Sequence, residues 1–386
     1  MDLKELSEKL TTSDIYKLLS FKKDKQLDKL AENLTLFDAC TLMSYVRETK
    51  SNIPKSKRLG IYPIENWHSF ERAKNLLASF WTADEIKFFT DFNDFNSLSE
   101  DERKPLIYIF GFFAVGDGTV SEVLLNYLID CSRSAEERMF YIIQLLNEQI
   151  HNETYGNMIH TLLTTKAERE KVFNAVENIQ TIKKMNDYIQ NIVRNPDGMK
   201  QLYVSLAIME FVMFTPLFCI IFWYKNYKKG KLKEIMISNE MIAKDEGSHC
   251  KNGCENYLSL PINERYTDHE IHEMIKYAIS ICDEFTKEIF EDINLTNLNF
   301  ENVSIYNRYV ADVLLERLGH SDLYKVDNPF EWMEYHKFVP KTNFYEGTVT
   351  QYTKFNVTES INNAKMLSND KYDPEADLNE EQDFEY

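Results

Sequence analysis

Two short stretches hold residue types at a spacing that can do metal chemistry: Glu148-Gln-Ile-His151 and Glu246-Gly-Ser-His249. Each sets a carboxylate three residues before an imidazole, close to one helical turn, so both side chains of a pair leave the same helix face. A third acid, Glu210, stands inside an otherwise apolar run. Two Glu-x-x-His pairs with further helical acids form the ligand set of di-metal carboxylate helix bundles. Hard cations held close together need shared carboxylates and one imidazole each, which the pairs supply. The pattern asks for one more acid from a fourth helix, and the stretch at 82–95 offers Asp84, Glu85, Asp91 and Asp94. Tyr155 lies one turn past His151 on the same face, where an oxidising metal pair could convert it to a phenoxyl radical. Phe214 and Phe218, one and two turns past Glu210, and Ile242, one turn before Glu246, are placed to wall such a site from water.

These residues need long helices to position them, and the composition favours helices. The 386 residues include only 11 Gly and 9 Pro, with 44% apolar and 13% aromatic residues. Few breakers over such a length argue for long helices, and the apolar share supplies a large core. The periodicity predicts helices from Trp67 to Ala78, Asp101 to Cys131, Ser134 to Thr164, Gln201 to Tyr227, Leu232 to Leu258, Thr267 to Asp292 and Asn302 to Leu318. Two lesser helices are expected over 166–198. Thr82 with Glu85 reads as a capping box opening a further helix through Phe88 and Phe89 towards Asp94. The fold class is therefore all-α. Residues 1–58 read as a Lys-rich helical appendage, 59–357 as the main domain and 358–386 as a flexible acidic tail. That tail closes on Asp383-Phe-Glu-Tyr386, which gives a partner something to grip.

The formal net charge of -18 argues against nucleic-acid binding, because phosphate contacts need clustered Lys and Arg. Six scattered cysteines read as reduced thiols in an intracellular, cytoplasmic protein, and Cys250-x3-Cys254 lacks further ligands at zinc spacing. The N-terminus has no apolar run of signal type. Tyr203 to Tyr224 is long and apolar enough to span a bilayer, but Glu210 and Pro216 inside it favour a helix buried on all faces.

Several stretches resemble the small, radical-bearing subunit of class I ribonucleotide reductase: Ser79-Phe-Trp-Thr-Ala83, Phe112-Phe-Ala-Val-Gly-Asp-Gly118, Glu148-Gln-Ile-His-Asn-Glu-Thr-Tyr155, Ser238-Asn-Glu-Met-Ile242, Asp245-Glu-Gly-Ser-His-Cys250, Asn328-Pro-Phe330 and Lys341-Thr-Asn-Phe-Tyr-Glu346. The resemblance implies a ferritin-like helical bundle holding two irons (or manganese). It implies a tyrosine oxidised with oxygen, and a radical passed to a large subunit that reduces ribonucleotides. It puts Glu148, His151, Glu210, Glu246 and His249 on metal-ligand positions and Tyr155 on the radical tyrosine. Asp245 falls on the acid that joins a histidine ligand to the radical relay, and Tyr352 on the relay tyrosine near the tail. Counted from Trp81, the remaining ligand aspartate falls on Lys87; counted from Pro63-Ile64, the relay tryptophan falls on Phe70, with Trp67 one turn earlier. A lysine ammonium beside Glu148 and Glu246 would stand in for a cation. These two departures favour a companion subunit with an impaired site, which pairs with an active small subunit, over a working radical generator in which Asp84 or Asp91 replaces the lost ligand; a homodimer or a heterodimer with another small subunit is expected. A ferritin-like oxidase unrelated to nucleotide reduction is the remote alternative. The large subunit is expected to bind through the tail.

Overall fold

The computed structural model describes residues 58–333 except 195–197 and 294, together with 361–362 and 364–365. The N-terminal appendage, Cys40, Tyr352 and the acidic end Asp383–Tyr386 lie outside the described residues. Among the described residues the structure is helical, with one isolated bridge between Leu295 and Leu298 and no strand.

In sequence order the helices are α1 (Trp67–Ala78), α2 (Phe92–Asn96), α3 (Glu100–Val123), α4 (Ala135–Leu162), α5 (Lys166–Phe173), α6 (Ala175–Asn178), α7 (Gln180–Arg194), α8 (Gly198–Ala207), α9 (Thr215–Tyr227), α10 (Lys233–Leu258), α11 (Asp268–Ile289) and α12 (Phe300–Arg317). Local chemistry sets many of their ends. Ser99 caps α3 by accepting the Glu102 amide while the Glu102 carboxylate accepts that of Ser99, and Thr267 does the same with Glu270 at α11. Gly230, at φ 81°, turns the backbone after α9, and Gly319, at φ 78°, closes α12, both in the left-handed region that costs glycine nothing. The principal packings are α3 on α4, α1 on α4, α8 on α10 and α11 on α12. They bury α3, α4 and α10 together with the segment between α8 and α9.

Several expected helices are built differently: the one expected from Asp101 to Cys131 is regular only to Val123 and goes over to π-helical bonding at Leu124–Leu128, and the two expected over 166–198 are three, α5 to α7. The long apolar helix from Gln201 to Tyr227 is α8 and α9 joined by a π turn, Ile208–Met213. Pro216 has no N–H to return to the Val212 carbonyl, so regular α-helical bonding cannot run unbroken through this point. Glu210 stands inside the widened turn, and such turns recur at functional sites. The run is long and apolar enough to cross a membrane by composition, yet its most apolar window is wholly buried inside the fold. The stretch 82–95 is not one helix. It is two 3-10 turns, Ala83–Glu85 and Phe88–Thr90, followed by the short α2. The Glu85 carboxylate accepts the Thr82 amide at 3.0 Å as a capping box would, but Ile86 is extended and turns its side chain into the core, ending the first turn. Asp91 then accepts the Ile235 amide at 2.8 Å and Asp94 the Leu232 amide at 3.3 Å, tying this segment to the start of α10.

Phe70, on α1, belongs to a small apolar cluster with Ile64 and Ala364, flanked by Ile61, Trp67 and Met139. Ala364 is 1% exposed, and Lys365 reaches Glu71 at 3.8 Å, so packing onto α1 continues into the segment expected to be free tail.

Candidate metal centre

Four elements converge on one buried cluster. Helix α4 brings Glu148 and His151, α10 brings Glu246 and His249, the π turn brings Glu210, and α3 brings Asp117. All six side chains are at most 1% exposed. Their ligand atoms fall into two overlapping sets, each spanning no more than 4.8 Å: Asp117, Glu148, His151 and Glu246, and then Glu148, Glu210, Glu246 and His249. Glu148 and Glu246 belong to both sets. Each set therefore has its own imidazole and its own terminal acid, and the two share two carboxylates. The helical pairing behind the Glu-x-x-His reading holds here, and the apolar setting of Glu210 reflects its burial against the cluster.

The fourth acid is a correction to the sequence reading. Lys87 is exposed, and its ammonium donates to the Asp84 carbonyl at 2.5 Å, facing away from Glu148 and Glu246. Asp84 is exposed, and Asp91, though buried, spends its carboxylate on the Ile235 amide. Asp117 is the acid that stands with Glu148, His151 and Glu246. Its signal was in the sequence: it is the sole charged residue between Lys104 and Glu122 on an apolar helix, the same anomaly that marked Glu210. The count from Trp81 missed it because 82–95 is a string of turns that runs past the cluster without entering it.

Trp81, not residue 70, is the aromatic residue that reaches Asp245. Its indole N–H donates to Asp245 Oδ2 at 2.8 Å, and the same oxygen lies 3.3 Å from His151 Nε2. The Trp81 and His151 rings stack with centroids 5.9 Å apart. Phe70 sits in the apolar cluster on α1 and takes no part. Asp245 thus lies between His151 and Trp81.

Tyr155 is fully buried, donates to Asn239 Oδ1 at 2.7 Å, and stacks on Phe113 at 4.9 Å. Asn239 is held in turn by its own donation to the Ile235 carbonyl at 2.7 Å. Phe113 also stacks on Phe218 at 4.9 Å and meets Phe214 edge-on at 5.1 Å, so the aromatic wall around the tyrosine is continuous.

The electrostatics show what the cluster lacks. Both oxygens of Asp117, both of Glu148, Glu210 Oε2, Glu246 Oε1 and His151 Nδ1 are buried without a well-aligned hydrogen bond, although His249 Nδ1 stands 3.2 Å from Glu148 Oε1 and His151 Nδ1 3.1 Å from Glu246 Oε1. Buried polar atoms almost always find partners, and so many orphans facing one point signal a missing ion. Burial pushes the Asp117 and Glu210 carboxyls well up, helped at Glu210 by Glu246 and Glu148. Burial would raise Glu148 too, but the imidazoles of His151 and His249 hold it down at about 2. Burial opposes the charge on His249, yet Glu148 and Glu246 lift it to about 9, and Asp245, Glu148 and Glu246 lift His151 well above the usual range. Without metal, then, protons neutralise the cluster: two imidazoliums balance part of the acid charge and two acids are driven towards neutrality. Two divalent cations would balance all four carboxylates and free both imidazoles to bind. The donor set of carboxylate and neutral imidazole suits iron or manganese, and Asp245 on His151 Nε2 is the outer carboxylate that such histidines favour. The residues fit a di-metal site. Cys250 and Cys254, with sulfurs 3.9 Å apart, lie outside both ligand sets.

Comparison with known proteins agrees. The profile of the family described as ribonucleotide reductase, small chain, matches residues 58–329. The ribonucleoside-diphosphate reductase small subunit of Dictyostelium discoideum is 35% identical over 308 residues, which cover 79% of the present protein and 89% of the relative. The ribonucleoside-diphosphate reductase small chain of vaccinia virus (strain Copenhagen) is 34% identical over 319 residues, covering 82% and 98%. The fold matches the ribonucleotide reductase Rnr4 homodimer of Saccharomyces cerevisiae with a TM-score of 0.64 at 22% identity, covering 78% of the present protein and 91% of the yeast one.

Proposed function

Because this chain belongs to the ribonucleotide reductase small-chain family and is a small subunit of ribonucleoside-diphosphate reductase, we propose that it is a radical-generating subunit with an intact di-metal site, and not a companion with an impaired one. The observation that carries this reading is the sixth ligand: Asp117 completes two overlapping sets in which every donor is buried and aimed inward. The companion reading rested on Lys87 and Phe70, and neither side chain reaches the cluster.

In this reading Asp117, Glu148, His151, Glu210, Glu246 and His249 would hold an iron or manganese pair, with Glu148 and Glu246 common to both ligand sets. With oxygen, the bound pair supplies the oxidising power that removes an electron from Tyr155. The protein's own residues do the rest. Asn239 orients the Tyr155 hydroxyl but its carboxamide oxygen is too weak a base to keep the proton. Asp117 and Glu246 are the acids whose charge acts on that phenol, and burial raises the phenol well above its usual range, so electron and proton must leave together. Phe113, Phe214 and Phe218 exclude water, which protects a radical from quenching. Trp81, Asp245 and His151 form a hydrogen-bonded series from the cluster to a residue outside it, the route by which the oxidising equivalent is passed on towards the large subunit, with Tyr352 further along. Exposed Leu125, Ile142 and Leu146, 57, 52 and 46% accessible, support pairing with a second small subunit.

Metal stoichiometry tests the reading. The isolated full chain, loaded anaerobically with ferrous iron and desalted, is expected to retain two ions per chain; retention of none or one favours the companion.

A further inference from the structure

A small cavity of about 10 Å³ lies between α3, α7 and the π turn, the first and last of which also carry Asp117 and Glu210. Phe112 and Gly116 line it from α3, Ile182 and Met185 from α7, and Met209 and Met213 from the π turn. Gly116 directly precedes Asp117, and Met209 directly precedes Glu210, so its walls are backbone neighbours of the terminal acid of each ligand set. At its one polar edge the Thr119 hydroxyl donates to Asn186 Oδ1. What remains is apolar. Such a space holds a single water-sized molecule, and its mostly apolar lining gives water little of the two to four hydrogen bonds it needs. Among its lining residues Val115 and Asn186 are part-exposed, while Phe112, Ile182 and Met209 are buried, so the cavity has both a solvent-facing and a core-facing lining. The missing side chain of Gly116 keeps the inner wall low: a Cβ there would meet Phe214 Cζ at 3.6 Å and Met209 Cε at 3.8 Å, and anything longer would enter the space. The methionines that line it are flexible and can yield to a passing molecule.

We propose that this cavity is the antechamber through which a small apolar gas, dioxygen, reaches the metal centre between Asp117 and Glu210. The route rests on the radical-generating reading above, whereas occupancy of the cavity by the gas does not. The test uses metal-free full chain carrying ¹³C-labelled methionine methyls, under dissolved oxygen against nitrogen. Paramagnetic oxygen should speed relaxation of the Met185, Met209 and Met213 methyls several-fold more than that of Met158, which is equally buried elsewhere. Equal effects at all four overturn the antechamber. Two filling variants, Val115→Ile and Ile182→Phe, then read the route: each that folds should lose the enhancement and slow tyrosyl radical formation on exposure to oxygen at unchanged metal content. A variant that loses the enhancement but forms the radical at the wild-type rate overturns the route. A wild-type protein that forms no radical yet shows the methyl effect refutes the radical-generating reading alone.

Discussion

Asp117→Asn should act in opposite directions on the metal-free and the metal-loaded protein. In the metal-free fold the carboxyl is fully buried, neither oxygen has a hydrogen-bond partner, and burial drives its pKa well up. An acid with a raised folded pKa costs stability above its unfolded pKa of about 3.9, so at neutral pH it strains the fold. The amide cannot ionise, and it can donate to the neighbouring carboxylates. An unsatisfied buried group costs on the order of 1–3 kcal/mol, and the variant should recover part of that as metal-free stability. For metal the sign reverses. Loss of a supporting outer residue already costs about 10–100-fold in affinity, so loss of a direct ligand should cost at least that, or about 1.4–2.7 kcal/mol, for the ion it shares with His151. Urea denaturation with and without metal, alongside metal titration, reads both arms. A variant that binds two ions with wild-type affinity, or whose metal-free form is less stable than wild type, would refute the assignment of Asp117.

Lys87→Asp should leave metal uptake and affinity unchanged, because the ammonium is exposed and bound to the Asp84 carbonyl; a rise in bound metal would return the ligand position to that residue. Trp81→Phe should retain both ions and still form the radical, but lose most reductase activity with the large subunit, since only the indole N–H can donate to Asp245; full activity in that coupled assay would exclude it from the route. The metal-free protein should lose stability as pH rises from about 6.5 to about 9. His249, lifted to about 9, stabilises the fold fully only below its unfolded pKa of about 6.5, and the depressed acid Glu148 begins to lose its contribution only below about pH 4.3. The slope should approach 1.4 kcal/mol per pH unit for each proton released, and bound metal should abolish it; a flat profile without metal would contradict the charge balance drawn here.

The sequence was most legible where chemistry and period coincide. Glu148/His151 and Glu246/His249 could be read from spacing alone because a helix converts a three-residue step into a shared face. Glu210 stood out because an acid has no reason to lie in an apolar run unless something buried needs it. Asp117 obeys the same logic, a lone acid on an apolar helix, whereas the count from Trp81 that the resemblance implies ends on Lys87, an exposed residue between two turns. The stretch 82–95 is a string of turns anchored to α10 through Asp91 and Asp94, contacts more than a hundred residues apart that no local pattern encodes. Trp81 meets Asp245 across 164 residues. Its partner is fixed by how α1 and the turns after it pack on α4 and α10, so spacing within its own segment could not separate it from Trp67 or Phe70. The π turn was half visible: Pro216 announced a break, but not that the break would be absorbed by widening the turn that holds Glu210.

The most direct measurement is electron paramagnetic resonance on the isolated full chain, loaded with ferrous iron and then exposed to oxygen, beside Tyr155→Phe treated identically. The expected result is a tyrosyl radical signal in the wild type that is absent from the variant, with two ions retained by both. A metal-loaded wild type that remains silent, or a signal that persists in Tyr155→Phe, would contradict the account.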